Sequence, residues 1–170
     1  MQTLVNRIDQ IVKFFGKTVS WLSTGLVWLI CMDVILRYLF NFSSASLFEL
    51  ELHVVALIFL LGAAYTLKAD KHVRVDLFYG QFSEKGKAWV NLVGTITFLI
   101  PLCIVVIVSS VPFVANSFNI MEGSADPGGL PFKFLIQSAI PIGFILLLLQ
   151  AISLCIQSIL VIYGKHMTNV

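Results

Sequence analysis

Long apolar runs separated by short polar segments dominate the chain. Each run is close to the roughly 20 residues that an α-helix needs to cross a bilayer. The runs predict four membrane spans, over residues 18–40, 47–67, 88–112 and 134–160. The segments between the runs are too short for a separate soluble domain, so residues 1–170 form one all-α integral membrane domain.

The segment before the first run, residues 1–17, repeats apolar side chains at helical spacing. Its apolar residues share one helix face and are Leu4, Val5, Ile8, Ile11, Val12 and Phe15. The opposite face is polar and basic, with Arg7, Lys13 and Lys17. Such an amphipathic helix either lies in the membrane interface or extends the first span into the cytoplasm. The pattern leaves both alternatives open.

The last two apolar runs carry no charge and are longer than one crossing requires. Long spans accommodate the bilayer by tilting or kinking, so we expect tilted helices. Kinks in helices occur mostly at proline, and we expect them at Pro101, Pro112 and Pro141.

Two patterns within the spans predict contact between helices. Gln150, Ser153 and Gln157 recur at helical spacing on the last span. A polar stripe of this kind usually meets another helix instead of lipid. The Gly-Ala-Ala run at residues 62–64 would allow a second helix to approach the second span closely.

The composition agrees with a chain that lipid covers. Charged residues make up 12% of the sequence and hydrophobic residues 58%, and the mean hydropathy is +0.94. A soluble domain carries about 25% charged residues, so this chain cannot cover its apolar surface with charge. No basic cluster with interleaved aromatic residues occurs, which leaves nucleic-acid binding without support.

The distribution of Lys and Arg predicts the orientation. Residues 68–87 hold five of them, and short loops rich in these residues stay in the cytoplasm. With this loop inside, both termini are cytoplasmic and residues 113–133 form a periplasmic loop. Nine of the eleven Lys and Arg residues would then lie on the cytoplasmic side.

Ionisable residues cluster near the outer ends of the first two spans. Asp33 and Arg37 are four residues apart, so they share a helix face and can pair. The pair would either couple to an ion or substrate or orient the span against a partner. Glu49 and Glu51 open the second span, where acids in a first helical turn match the helix dipole. Either glutamate could also reach Arg37 across the tight turn.

Redox, haem and metal chemistry have weak support. The cysteines stand alone in separate apolar runs and are Cys31, Cys103 and Cys155. A haem site in a bundle needs facing histidines, and only His53 lies in a span. His72 and Asp76 have no second His or Cys nearby to complete a metal site. We therefore predict no cofactor and no metal.

The loop between the last two spans contains strong turn chemistry. Asp126, Pro127, Gly128 and Gly129 follow one another, and proline and glycine in this order favour a tight turn. Pro131 then suits the first turn of the next helix.

In their order and spacing, these motifs resemble the small membrane (Q) subunit of tripartite ATP-independent periplasmic (TRAP) transporters. The resemblance covers nearly the whole chain. It rests on Arg37-Tyr38, the glutamate that opens the second span, residues 62–64, His72-Val73-Arg74-Val75-Asp76, Ser124, residues 126–131 and residues 141–144.

The resemblance implies a scaffold subunit, not an enzyme, in the bacterial inner membrane. It would pack against the large multi-span (M) subunit of a sodium-coupled importer of organic acids and help a periplasmic substrate-binding protein dock. The Asp126 loop would lie near the docking face, and the loop holding His72 would brace the cytoplasmic side. The residues expected to carry subunit contacts or family motifs are Asp33, Arg37, Glu49, Glu51, His72, Arg74, Asp76, Asp126, Gly128, Gly129, Pro131, Gln150 and Gln157.

Two other functions remain alternatives. One is a four-helix membrane redox or haem protein, and the other is a small self-assembling channel. A transporter acting alone is disfavoured because the middle of the last two spans holds no ionisable group, which proton- or ion-coupled carriers usually need.

Overall fold

The computed structural model describes residues 2–69 and 83–163, and every regular element in these ranges is a helix. The elements are α1 (Gln2–Leu39), α2 (Ala45–Lys68), α3 (Glu84–Gly94), a π-helical turn (Thr95–Leu99), α4 (Ile100–Asn119), α5 (Phe134–Gln137) and α6 (Ala139–Ile162). Four stretches are long and apolar enough to cross a membrane: Thr3–Leu39, Ala45–Lys68, Glu84–Asn119 and Phe134–Ile162. The predicted all-α fold with four spans is confirmed, whereas its orientation in the membrane stays a prediction.

The N-terminal amphipathic segment is part of α1, which runs without a break for 38 residues. Of the two alternatives left open by the sequence, the structure contains the extension of the first span. Ile8 and Val12 are buried and pack against Ala64 of α2 and Leu146 of α6. The apolar face of this segment therefore joins the bundle instead of standing apart from it.

Helix α6 lies at the centre of the bundle. It packs against α1, α2, α3 and α4. A second core cluster joins Leu67 of α2, Cys103 of α4, and Leu147 and Ala151 of α6. Because it has neighbours on several sides, α6 buries far more of its surface than the other spans do.

Two of the three prolines expected to bend the spans accompany irregular helix geometry. Proline has no N–H, and its ring clashes with the carbonyl four residues earlier. For Pro141 that carbonyl belongs to Gln137, where α5 ends. For Pro101 it belongs to Thr97, inside the π-helical turn. Pro112, by contrast, lies inside α4 without ending it.

Glycines lie where α2 meets α1 and α6, and the closest approach is at Gly143, outside the predicted run of residues 62–64. A Cβ added to Gly143 of α6 would lie 2.7 Å from the carbonyl oxygen of Leu60, so these helices meet backbone to backbone. On the side of α1, a Cβ at Gly62 would lie 3.5 Å from Val19 Cγ1, an ordinary contact distance.

Replacing Gly143 by alanine should destabilise the bundle. The added methyl group has to displace the backbone of α2, and overpacking of this kind costs roughly 1–3 kcal/mol. We expect a lower melting temperature in detergent for Gly143→Ala. Gly25→Ala is the matched control, because a Cβ at Gly25 meets no atom within 4 Å. Equal melting temperatures for the two variants would contradict the close approach.

Candidate functional site

Polar side chains gather at the two ends of the bundle. The turn of residues 40–44 and the loop of residues 120–133 share one end, here called the outer end after the predicted orientation, and residues 120–133 are the outer loop. The loop is shorter than the predicted residues 113–133, because α4 continues past Pro112 to Asn119. The opposite end is the inner end.

The carboxylate of Glu49 connects α2 to the outer loop. The Ser124 hydroxyl donates a hydrogen bond to Glu49 Oε1, and the Leu130 backbone N–H donates one to Oε2 at 2.7 Å. Glu49 lies one turn beyond the helix start at Ala45. The expected interaction of this acid with the first-turn dipole is therefore wrong, and its partners are loop groups.

The Asp-Pro-Gly-Gly sequence forms the predicted turn. The Gly129 N–H donates to the Asp126 carbonyl at 3.0 Å, and Gly128 has φ +79°, a conformation that glycine adopts at no steric cost. The Ser46 hydroxyl of α2 donates to the Gly128 carbonyl. A Cβ at Gly129 would lie 2.8 Å from Glu49 Oε1, so a larger residue has no room there.

The predicted role of Pro131 at the start of a helix is wrong. The next helix, α5, begins at Phe134. Between them Phe132 has φ +62°, which is incompatible with a right-handed helix. Pro131 therefore belongs to the loop, and its fixed φ restricts the chain just before this left-handed residue.

A second carboxylate, Glu122, closes the base of the outer loop. Lys133 Nζ lies 3.2 Å from Glu122 Oε1, and the Lys133 backbone N–H donates to the Glu122 carbonyl at 2.8 Å. The Ser117 hydroxyl and the Lys133 ammonium hold the pKa of Glu122 below its usual range. A lowered pKa means that this stabilisation is present at neutral pH and is lost as the pH falls through the lowered value.

Asp33 and Arg37 form the predicted ion pair on α1. Asp33 is buried, with 4% of its surface exposed, whereas the Arg37 side chain is half exposed. Within the described residues Arg37 forms its ion pair with Asp33. Glu49, which the sequence allowed to reach Arg37, is hydrogen-bonded to the outer loop instead. For Glu51, Oε1 is buried without a hydrogen-bond partner in the described ranges.

At the inner end, a polar network joins three helices. Lys68 Nζ of α2 lies 2.9 Å from Asp9 Oδ2 of α1 and donates to the Asp9 carbonyl at 2.8 Å. Ser153 of α6 donates to Asp9 Oδ1 at 3.4 Å, and Gln157 donates to Ser153 at 3.2 Å. The polar stripe of α6 therefore meets α1 of the same chain. Gln150, on the same stripe, is buried.

Sequence reasoning did not find the Asp9–Lys68 pair or the anchoring role of Ser46. The two members of the pair are 59 residues apart, and each looked like an ordinary interfacial charge. Ser46 belongs to a short polar turn with no distinguishing pattern. His72, Arg74 and Asp76 lie outside the described residues.

Comparison with known proteins identifies one protein family. Residues 26–160 match the family described as tripartite ATP-independent periplasmic transporters, DctQ component. The matched range includes Glu49, the outer loop and most of α6. No individual curated protein gives a match.

Removing the carboxylate of Asp9 should destabilise the inner end. Lys68 is largely buried, with 13% of its side chain exposed, so an unpaired ammonium there is costly. We expect Asp9→Ala to lose roughly 1–3 kcal/mol, between the values typical of exposed and buried pairs. The measurement is thermal unfolding of the purified protein in detergent.

The double variant Asp9→Ala, Lys68→Met supplies the control. If the pair is the cause, removing both charges should recover much of the loss, because no unpaired charge remains. A double variant as unstable as the sum of the single variants would contradict the coupling.

Proposed function

Because this chain belongs to the DctQ component family of tripartite ATP-independent periplasmic transporters, we propose that it is the non-catalytic scaffold subunit of a sodium-coupled importer of organic acids. In this proposal it packs against the large multi-span subunit in the bacterial inner membrane and helps to dock the periplasmic substrate-binding protein.

The observation that supports a scaffold most directly is the distribution of charge. Residues 88–121 and 134–164 contain no Asp, Glu, Lys or Arg, and these ranges include nearly all of the last two spans. The ion pairs at Asp9 and Glu122 lie at the two ends of the bundle. A solute crossing the membrane would meet no charged group in these two spans, so the transport pathway is assigned to another subunit.

The outward-facing apolar surface supports a large partner. Large side chains on α1 and on the third span stand away from the bundle: Trp21, Trp28, Phe98 and Val108 are 66–75% exposed. In the membrane such a surface contacts lipid or another helix. We assign part of it to the large subunit, with the half-exposed Arg37 at its outer edge.

The scaffold proposal predicts no transport by this chain alone. Purified and reconstituted into vesicles, it should carry no labelled organic acid in a sodium gradient, because residues 88–121 and 134–164 offer a solute no charged group. The same vesicles should take up solute once the large subunit and the binding protein are added. Sustained flux from the chain alone would contradict the proposal and favour a self-assembling channel.

For docking, we expect Asp126→Lys to reduce uptake by the complete transporter while the membrane complex still assembles. Asp126 is exposed on the outer loop, and a reversed charge at a rim position weakens association with a complementary surface. The measurements are uptake rate and yield of the co-purified complex. Lys85→Asp, a charge reversal at the inner end, is the control and should leave docking intact. Unchanged uptake with Asp126→Lys would remove docking from the proposal.

A further inference from the structure

We propose that the outer loop is a preorganised docking surface for a basic patch on the soluble binding protein, and that Glu49 is the positioning residue that holds this surface in shape. The inference rests on the proposed docking role and goes beyond it. It names the chemistry of the partner and a residue of α2 that acts on docking through the loop.

Glu49 holds the loop on both sides of its turn. Ser124 precedes the Asp-Pro-Gly-Gly sequence and Leu130 follows it, and both donate hydrogen bonds to the same carboxylate. Ser46 adds a third link from α2, at the Gly128 carbonyl. Because Ser124, Gly128 and Leu130 are all hydrogen-bonded to α2, the loop is held in one conformation before a partner binds.

The loop carries one acid that its own contacts leave free. Glu122 is paired with Lys133, and Glu49 is occupied by Ser124 and Leu130. Asp126 is exposed, and within the described ranges its hydrogen bonds are made by its backbone N–H and carbonyl, whereas its carboxylate makes no hydrogen bond or ion pair.

Exposed apolar groups flank this carboxylate. Pro127 and Pro131 are exposed, and half of the Phe132 surface is accessible. A single free negative charge beside apolar groups fits a partner surface that presents Lys or Arg next to apolar side chains. The partner chemistry we assign is therefore a basic patch with an apolar rim.

Glu49 and Asp126 should affect docking in different ways. Asp126 contributes charge, so its loss should reduce the dependence of affinity on ionic strength. Glu49 contributes by keeping the outer loop ordered. Without its carboxylate the partner has to order the loop on binding, which weakens affinity at every salt concentration.

The test uses the complete membrane complex, purified through a tag on this chain, and the purified binding protein. Dissociation constants are measured over a series of salt concentrations for wild type, Glu49→Gln, Asp126→Asn and the control Glu84→Gln, an exposed acid at the inner end. Hydrogen exchange at the Leu130 amide, which donates to Glu49, reports the loop directly.

We expect Glu49→Gln to weaken binding roughly ten-fold, as loss of hydrogen bonds to a charged group does, with faster exchange at Leu130 and a smaller change in salt dependence than Asp126→Asn causes, because Glu49 is half-buried. Asp126→Asn should flatten the salt dependence with slow exchange retained, and Glu84→Gln should match wild type. Wild-type affinity for Glu49→Gln would overturn the inference. Binding by Asp126→Lys separates this inference from the docking proposal. If Asp126→Lys abolishes binding, the docking proposal stands even though the role of Glu49 is refuted. If Asp126→Lys still binds, the docking proposal fails as well.

If Glu49→Gln does not assemble, Gly129→Ala takes its place. This variant disturbs the loop itself, since its Cβ would crowd Ser124 and the Glu49 carboxylate, and it keeps the sequence and the charge of α2. Weaker binding with an unchanged salt dependence supports the inference, and wild-type binding overturns it.

Discussion

A charged group near the membrane is stable when it finds a partner inside the protein or reaches water, and this constraint accounts for most of the polar contacts between the helices and loops described above. A charge left unpaired in hydrocarbon is costly. Asp33 is paired with Arg37, Lys68 with Asp9, and Glu49 with groups of the outer loop. These contacts lie toward the ends of the helices. Apolar packing around α6 joins it to α1, α2 and α4.

Much of the fold could be predicted because its signals are local. The four spans follow from apolar runs, the Asp33–Arg37 pair follows from spacing on one helix, and the turn at Gly128 follows from residue type. The sequence indicated that the polar stripe of α6 meets another helix, but the partners that join separate segments could not be predicted. Glu49 and Ser124 are 75 residues apart, and nothing in either segment identifies the other.

The candidate site shows the same division. The sequence marked Asp126, Gly128 and Gly129 as a turn of interest, and the structure places that turn on α2 through Glu49 and Ser46. Pro131 was misplaced because its local preference for a helix start is outweighed by the left-handed backbone at Phe132. The conformational preference of a residue type applies to one position at a time, whereas the path of a loop depends on the positions of the helices at both of its ends.

The uninterrupted length of α1 has a consequence for the surrounding bilayer. Its 38 residues form a rod about 57 Å long, against a hydrocarbon layer of about 30 Å. Even at the 40° limit of usual helix tilt, the rod still spans about 44 Å along the membrane normal. Tilting within this range therefore cannot place the whole of α1 inside the hydrocarbon layer, and part of the helix lies at the level of the headgroups or beyond. The thickness of the membrane therefore determines how much of α1 lies outside the hydrocarbon layer. Lipids with shorter chains expose more of the helix, and lipids with longer chains bury more of its basic face.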